Sequence, residues 1–467
     1  MFETISQTIP ADPDELPRSR RLGLYRRVID GTLYDFLPYA FSEERNGAGE
    51  YVPLRARRPS VRYGLCRIVV EDSVALLFSA GHFPLVVADD PAVTTLLADI
   101  IRETRLNSVM IDAAMRGAVG SVAVLMRVLR GRLFYSVLES RYLTPEWRAE
   151  APDTLARVTE RYKVRGDSLI ARGYGDIDPR ATYWFKRVWD SESEIWYRPK
   201  PVLVPDLPDE VDVLRTVRHG LGIVPIAWIR NLPGGDEIDG ACTFRAAIES
   251  SIEIDYQLSQ VGRGLKYASD PTLLIKEPAM PEGPVVKGAG NALVVSEKGD
   301  ARLLEIGGTA AGAVIDYVRT LREFALESVH GNRANADRLS AAQSGRALEL
   351  MNQGLIWLAD NLRISYGDGG LLVLLRMALK ARERFPIMVR GAPMPLCDSD
   401  TRLTLRWPRW YPLSADDRLK DAQATATLIR AGQLSRATAL GGIAGDQAIA
   451  DIEAELERID SEKQDHA

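Results

Sequence analysis

The side chains that could do chemistry are scattered along the chain. Adjacent carboxylate pairs recur along the chain, among them Glu71-Asp72, Asp89-Asp90 and Asp416-Asp417. Neighbouring positions on a helix or strand do not face each other, so these pairs favour helix caps or solvated faces over general acid–base catalysis. The sequence contains no P-loop pattern and no G-x-S-x-G nucleophile elbow. With no catalytic signature, we expect a protein that is not an enzyme.

The potential metal ligands are equally dispersed. No C-x-x-C pair and no metal-ligand spacing joins any of them. They are Cys66, Cys242, Cys397, His82, His219, His330 and His466. We therefore expect no disulfide framework, no metal site and no cofactor.

A glycine pair at Gly220 and Gly222 precedes an apolar run, Ile223 to Trp228. A phosphate-cradling loop needs a helix after its glycines, because the helix N-terminus supplies the amides that hold the anion. Here the following run is typical of a strand. The pattern favours a turn that leads into a strand.

Composition limits the class of protein. The chain has 467 residues, of which 46% are hydrophobic and 26% charged, with a net charge of -5 and a pI of about 5.7. This length predicts about two to four domains. The acidic balance argues against a protein that grips nucleic acid through many phosphates, but it allows one that DNA slides past. The N-terminus lacks a signal-peptide pattern, and no apolar run reaches the about 18 residues of a membrane span.

The N-terminal half combines helices with strands. We predict helices at Arg20 to Tyr34 and Pro91 to Asn107, with a strand at Ser121 to Val128. Residues Thr154 to Ile229 predict antiparallel strands, since aromatic and β-branched runs alternate there with turn residues. The predicted strands within this range are Arg157 to Lys163, Ala181 to Trp189 and Glu194 to Tyr197.

The centre of the chain predicts a helix, a small insert and a second helix. Thr243 to Ala268 repeats apolar residues every four positions, and Ala310 to Val329 has a similar stripe. The stripes are Phe244, Ile248, Ile252 and Tyr256, then Val314, Val318, Leu321 and Ala325. The insert between them is rich in proline and glycine, with short strands predicted at Thr272 to Ile275 and Ala292 to Val295.

A polar loop and a third helix follow. His330 to Leu339 is small, polar and charged, and Ser340 to Gln343 forms a capping box that starts the next helix. Gly367 to Gly370 is predicted to break that helix before Leu371 to Arg384. From these patterns alone, three core helices of an ordinary globular protein are the preferred interpretation.

Several motifs, in order, resemble the portal proteins of siphophage-type tailed bacteriophages. His219 to Ile226 is similar to the family's glycine-bearing turn and strand, and Ile248 to Leu258 to the start of its first stem helix. Ser344-Gly345-Arg346-Ala347-Leu348 resembles its Ser-Gly-x-Ala-Leu, and Ala431 to Leu440 its C-terminal pattern. Near the front of the chain, Gly120-Ser121 matches only part of a further family motif, Gly-x-(Ser/Ala), because the spacer residue is missing. The resemblance covers roughly Arg20 to Gly442.

The resemblance implies an α+β fold with a portal-like architecture: a helical stem, a small α/β clip, a mixed β/α wing and a short helical crown. The implied parts are a wing at 1–240, stem helix 1 at 241–269 and the clip at 270–308. Stem helix 2 follows at 309–329, then the tunnel loop at 330–339. The long helix and the rest of the wing span 340–412, and the crown and tail span 413–467.

The resemblance also implies a function: a ring at one capsid vertex, a dodecamer, through which double-stranded DNA is packaged and ejected. Implied partners are the terminase large subunit, head–tail connector or adaptor proteins, and the major capsid and scaffolding proteins, with no membrane. The implied location is the virion, and the host cytoplasm during assembly. The implied channel residues are Arg333, Asn335, Asp337 and Arg338 of the tunnel loop. The implied clip contacts to terminase or connector are Glu282, Lys287, Glu297 and Lys298.

An alternative from another class is a soluble α+β enzyme with an unrecognised site. That alternative predicts a monomer or dimer with a deep pocket in which polar groups converge, whereas a portal forms a large closed ring. The residues do not distinguish a lytic phage from a prophage or a gene transfer agent.

Overall fold

The computed structural model describes residues 1–269, 272–278, 295–304, 309–332, 349–411, 415–443, 449 and 452–465. For 267–269, 272–278, 295–304, 309–310 and 463–465 it describes the backbone alone. Helices and strands both contribute heavily to this part of the chain, so the fold class is α+β, as predicted.

The helices run through the whole length of the chain. They are α1 Phe2–Thr8, α2 Pro17–Ile29, α3 Leu65–Phe78, α4 Pro91–Glu103, α5 Leu106–Gly117, α6 Gly166–Ala171, α7 Ile248–Ser269, α8 Thr309–Ser328, α9 Gln353–Leu362, α10 Val373–Arg384, α11 Ala415–Arg430, α12 Arg436–Ile443 and α13 Ile452–Asp465. A π-helical segment, Arg363–Leu372, connects α9 to α10 without a break.

Most of the strands lie between α5 and α7 in the sequence. They are β1 Tyr39–Ala40, β2 Arg57–Arg58, β3 Leu85–Ala88, β4 Ser121–Leu129, β5 Arg132–Leu138, β6 Leu143–Arg148, β7 Ala151–Arg165, β8 Thr182–Trp189, β9 Ser193–Trp196, β10 Lys200–Pro201, β11 Val217–Arg218, β12 Ile226–Arg230, β13 Thr272–Pro278, β14 Val295–Leu304, β15 Met388–Val389, β16 Ala392–Pro393 and β17 Leu403–Arg406.

The chain forms two compact units. The first unit comprises Met1–Pro13, Arg27–Arg67 and Ala246–Val329. It contains the helix pair α7 and α8, the hairpin β13–β14, and N-terminal segments that pack on α7.

The second unit comprises Asp14–Arg26, Ile68–Arg245 and His330–Ala467. It contains a six-stranded antiparallel sheet with the order β11-β9-β8-β7-β6, in which β10 also pairs with β8, and a three-stranded sheet with the order β12-β4-β5. A buried apolar cluster joins the two sheets. Its members are Ala123, Leu125, Leu143, Val158, Trp189, Val224 and Ile226.

A polar cluster ties α2 to the second unit's three-stranded sheet. Asp239 is almost fully buried. Its carboxylate accepts two hydrogen bonds from the guanidinium of Arg18, at 2.7 and 2.8 Å, and a third from Arg21 at 3.1 Å. The hydroxyl of Ser121, the first residue of β4, also donates to Asp239. Because these donors satisfy the buried carboxylate, Asp239 serves as a structural anchor.

The predicted break at Gly367 to Gly370 is wrong. The helix continues through these glycines as a π-helical segment, and the glycines make room for neighbouring strands. A Cβ on Gly367 would lie 2.7 Å from Cζ2 of Trp407 and 2.8 Å from Cδ1 of Leu405. A Cβ on Gly370 would lie 2.7 Å from Cδ1 of Ile229. Close packing therefore explains the glycines that the sequence suggested were a helix stop.

Most of the other predicted elements are present with shifted ends. The predicted helix from Pro91 stops at Glu103, because Arg105 adopts a left-handed conformation (φ 51°) before α5 begins. The second strand of the insert was predicted at Ala292 to Val295, whereas the observed strand begins at Val295 and continues to Leu304. Asp90 caps α4 by accepting a hydrogen bond from the amide of Ala92, so this acidic pair has a structural role.

Candidate functional site: a helix pair

The two central helices form a pair that is closed by a β-hairpin. α7 and α8 pack against each other. The chain leaves α7 at Ser269 and enters β13 at Thr272, which pairs with Leu304 of β14 shortly before α8 begins at Thr309. The antiparallel strands therefore extend an antiparallel helix pair. This arrangement matches the predicted order of helix, small insert and helix.

A polar stripe on α7 faces the protein interior. Ser251, Asp255 and Ser259 are four residues apart, so they lie on one side of the helix, and all three are buried. The carboxylate of Asp255 accepts hydrogen bonds from the hydroxyl of Tyr34 at 2.8 Å and from the amide of Tyr63 at 2.7 Å. The stripe is therefore a set of polar contacts to N-terminal segments of the same unit.

The segment around Tyr63 lies along α7. Oγ of Ser259 accepts a hydrogen bond from the amide of Val61 at 2.9 Å, and the hydroxyl of Tyr256 donates to the carbonyl of Arg57 at 2.9 Å. These contacts satisfy backbone groups that would otherwise be buried without partners. The N-terminal part of α7 is thus covered by its own chain.

Burial sets the acidity of the groups on this stripe. Desolvation raises the pKa of the Asp255 carboxyl above its ordinary value, although hydrogen bonds from Tyr63 and Tyr34 oppose the shift. Desolvation also raises the pKa of Tyr34, and the neighbouring Asp255 charge adds to that shift. Neither group is open to solvent, so these shifts belong to packing and do not indicate catalysis.

The second helix, α8, is covered only on one side. The predicted stripe of Val314, Val318, Leu321 and Ala325 is half-buried or buried, which confirms that this face packs inward. Tyr317 and Phe324 lie off the stripe, seven residues apart and therefore on the same face, and they are 45% and 63% exposed. Two aromatic side chains at this spacing form an apolar edge, which we call the aromatic edge of α8.

Charged residues occupy the remaining surface of α8. Arg319 pairs with Asp316 at 3.2 Å. Arg322 turns towards the N-terminal segment and donates to the hydroxyl of Tyr63 at 3.1 Å. The aromatic edge is therefore flanked by a solvated, charged face.

Most of the predicted channel and clip residues lie outside the described part of the chain. These residues are Arg333, Asn335, Asp337, Arg338, Glu282 and Lys287. Glu297 and Lys298 lie on β14, for which only the backbone is described. Ser340 to Gln343, the predicted capping box, also lies outside. The structure therefore brings none of these side chains together.

The sequence reasoning missed the two features that define this site. It recognised Asp255 as part of a motif but not as a buried acceptor; the signal was the spacing of Ser251, Asp255 and Ser259. It also assigned α8 a single apolar stripe. The seven-residue spacing of Tyr317 and Phe324 was a second signal, visible in the sequence.

No group of three or more His, Cys, Asp or Glu side chains among the described residues could hold a metal ion. The three cysteines are free. Among the described residues, no helix combines the length and apolar character that crossing a membrane requires.

The second unit contains a groove of about 1010 Å³ beside α11, α12 and α13. Its polar side chains engage each other: Arg409 pairs with Asp421 at 3.3 Å. The ring of His82 lies 2.8 Å from Oγ of Ser79 and 2.9 Å from the carbonyl oxygen of Trp410. Arg409, Asp421 and His82 are therefore engaged by neighbouring groups of the protein.

No family model matches the sequence, and no curated protein matches it either. Among solved structures, the chain is similar to one in the neck of a native GTA particle computed with C12 symmetry. The identity is 12% and the TM-score 0.42, over 94% of this chain and 97% of that chain.

Two further similar chains come from particles of the same kind. One is in the neck of an empty GTA particle computed with C6 symmetry (11% identity, TM-score 0.41, 80% of this chain and 87% of that chain). The other is in the virion of a native gene transfer agent (GTA) particle (11% identity, TM-score 0.35, with the same coverage). At these TM-scores the similarities assign the chain neither a fold nor a function.

Proposed function

We propose that this chain is the subunit of a portal ring in a phage or phage-like particle. In this proposal α7 and α8 are the stem helices, 270–308 with β13–β14 is the clip, and 330–339 is a tunnel loop that borders the DNA. The wing comprises 1–240 with much of 340–412, and the C-terminal helices form a small crown. The proposal rests on the ordered motifs of the sequence and on the helix pair.

One observation carries the proposal: α8 exposes an aromatic edge although its partner helix α7 is covered by its own chain. Fully burying an aromatic or large aliphatic side chain contributes about 1.5–3 kcal/mol. Leaving Tyr317 and Phe324 in water forfeits that contribution in an isolated subunit. In a ring, the neighbouring copy would cover the edge through a head-to-tail contact, which repeats until the ring closes.

The proposed partners follow from this role. Double-stranded DNA would pass through the ring, and the terminase large subunit and connector proteins would dock at the clip. Capsid and scaffolding proteins would surround the wing, and the protein would reside in the virion. The competing proposal, a soluble enzyme, requires polar groups that converge in a pocket.

The test is the size of the purified protein, measured by light scattering and electron microscopy. We expect a large closed ring. Replacing both Tyr317 and Phe324 with Ser should shift the ring towards single subunits. Burying the exposed halves of these two side chains contributes about 1.6–3.2 kcal/mol, so its loss weakens each interface by about 10- to 200-fold. Glu323→Ser, a change on the charged face of the same helix, is the matched control.

Two results would count against the proposal. A wild-type protein that remains a monomer at every concentration excludes a ring. A ring that persists unchanged in the Tyr317→Ser/Phe324→Ser variant means that the aromatic edge is not the contact between copies.

A further inference from the structure

One face of the six-stranded sheet carries cations and aromatic rings. Alternate residues of a strand share a face, and the antiparallel register aligns those of β7, β8 and β10. The residues on this face, which we call the basic face, are Arg157, Arg161, Lys163 and Arg165 of β7, Trp184 and Lys186 of β8, Lys200 of β10, and Tyr197. On this face, no position of β7 from Arg157 to Arg165, and none of β8, carries a carboxylate.

The register places like charges opposite each other. Arg161 pairs directly with Lys186 across β7 and β8. Directly opposed like charges on neighbouring strands are unfavourable by about 0.2–1 kcal/mol. Asp209, 2.7 Å from Lys186, offsets part of that repulsion, and a bound anion between the two strands would offset more of it.

The cations are held over aromatic rings. The guanidinium carbon of Arg161 lies 4.1 Å from the ring centroid of Trp184, and Nζ of Lys163 lies 5.1 Å from the same centroid. Nζ of Lys186 lies 4.4 Å from the ring centroid of Tyr197. Cation–π contacts orient the charged groups without neutralising them.

The carboxylates near the basic face come from other segments. Asp14 pairs with Lys163 at 2.7 Å, and Asp209 lies 2.7 Å from Lys186 and 3.9 Å from Lys200. Glu146 is 4.0 Å from Arg157, and Asp167 is 3.3 Å from Arg165. These carboxylates are largely exposed, and ion pairs of this kind contribute about 0–1 kcal/mol. A ligand that offers several closely spaced anions could compete with them.

We propose that the basic face binds the phosphodiester backbone of DNA, as a surface separate from any channel. The phosphates of DNA supply anions at the regular spacing that a row of cations along β7 can follow. Arginine stacked on Trp184 also presents a planar fork suited to phosphate oxygens. The combination of cations with aromatic rings favours nucleic acid over an acidic protein segment, which would have no use for the rings.

The test is fluorescence anisotropy of the full-length protein with a short duplex and with the same sequence as a single strand. Binding of either should weaken steeply between about 50 and 200 mM salt. Arg161→Gln with Arg165→Gln should lower the slope of log K against log salt by about 2, because each phosphate contact contributes about one unit. Lys420→Gln with Arg458→Gln removes two exposed cations from α11 and α13 and is the matched control.

A second variant separates backbone contact from stacking. Trp184→Leu should weaken the single strand more than the duplex if bases stack on the ring, and weaken both equally if the ring only orients Arg161. Circular dichroism of each variant checks that the sheet is folded. Sizing of the same samples reports ring assembly independently, so a ring that has lost DNA binding and a failed ring are distinguishable.

Either of two results overturns the proposal. One is equal affinity and salt slope in the Arg161→Gln/Arg165→Gln variant and in its control. The other is binding of polyglutamate without binding of DNA, which would make the basic face a docking site for an acidic protein.

Discussion

Arg187 lies in the interior of the six-stranded sheet between two glutamates. It donates to the carboxylate of Glu160 at 2.7 and 3.0 Å and to Glu194 at 3.2 Å, and its guanidinium carbon lies 4.2 Å from the ring centroid of Trp189. Glu194 also accepts from Arg127 of the three-stranded sheet at 2.7 Å. All three members of the central group are buried, so none of them can exchange its partner for water.

Replacing Arg187 with Ala should therefore destabilise the protein strongly. Removing one member of a buried ion pair leaves an uncompensated charge and costs about 3–5 kcal/mol. The control is Arg198→Ala, whose pair with Glu210 is exposed and contributes about 0–1 kcal/mol. Urea denaturation of both variants measures the difference, and similar losses of unfolding free energy would contradict this account.

A second residue, Asp255, makes stability depend on pH. Burial raises its pKa in the folded state above the about 3.9 of an unfolded chain. Between these two pKa values the folded state binds more protons than the unfolded state, so this group's contribution to stability falls as pH rises. Below the unfolded pKa the penalty for the buried charge disappears. Arg62 is the charged side chain that opposes the shift.

Asp255→Asn should remove this dependence. The variant should become more stable relative to the wild type as pH rises from about 4 to about 7, by about 1.4 kcal/mol for each unit by which the pKa of Asp255 is raised. Denaturation curves at several pH values give the difference. Asp316→Asn, at an exposed position on α8, is the control and should show a smaller trend. A difference that stays constant with pH would refute the assignment to Asp255.

Sequence reasoning is weakest in predicting which partner a single buried polar residue will have. The pattern of α7 predicted its apolar stripe, but whether a polar residue faces solvent or an internal partner depends on chain segments far away. Tyr34 and Tyr63, the partners of Asp255, are about 200 residues distant in sequence. The same applies to Asp239, whose arginine partners lie on α2.

The helix from Gln353 to Arg384 shows how glycine is used for packing. Helix propensity alone predicts that Ala is better than Gly in a helix by about 1 kcal/mol. Gly367 and Gly370 oppose this rule because strands β17 and β12 approach them closely. Tyr366, just before Gly367, donates to the side-chain oxygen of Asn231 at 3.0 Å. The π-helical turn widens the helix at the point where it meets these strands.

Two single substitutions in this segment should have opposite effects. Gly367→Ala should destabilise by about 1–3 kcal/mol, because the new methyl group collides with Trp407 and Leu405. Gly369→Ala, two positions away, meets only the carbonyl oxygen of Ile364 at 3.9 Å and should stabilise by about 0.5–1 kcal/mol. Thermal unfolding of both variants measures the contrast. Equal shifts in the same direction would contradict the packing explanation.

At the level of elements, the sequence predicted the strands and helices well where periodicity was strong. β4 and β8 lie within one residue of their predicted positions, and β7 contains the predicted strand and extends beyond it at both ends. The errors arose where one residue type has two structural uses. Glycine both ends helices and permits close approach, and the sequence around Gly367 does not distinguish these uses.

For the whole molecule, the proposed ring leads to a prediction about Arg333 and Arg338 of the tunnel loop, both of which lie outside the described residues. Replacing both Arg333 and Arg338 with Ala should leave ring assembly intact and impair DNA packaging, because these cations would contact phosphates as DNA passes. Packaging of DNA into particles, with sizing of the ring as the control, measures the effect. Unchanged packaging would argue against the loop as a DNA contact.

From the sequence, the proposed ring follows only through resemblance. Composition and helical stripes favoured an ordinary globular core, and nothing in the stripe of Val314 and Val318 indicates a second copy. The structure adds that, among the described residues, no segment covers the aromatic edge of α8. A sequence pattern alone cannot separate a face that is buried within one chain from a face that is buried between two.

The anchoring of Asp239 also has a consequence for biosynthesis. A ribosome releases the chain from its N-terminus, so Arg18, Arg21 and β4 emerge long before their partners. β4 is the central strand of its sheet, and it gains its neighbour β12 only when Ile226–Arg230 has been made. Until then one edge of β4 is unpaired, and Arg18 and Arg21 lack the carboxylate of Asp239. Ile226 to Asp239 supplies first the missing strand and then the carboxylate, so the complete anchor can form only after this stretch has been made.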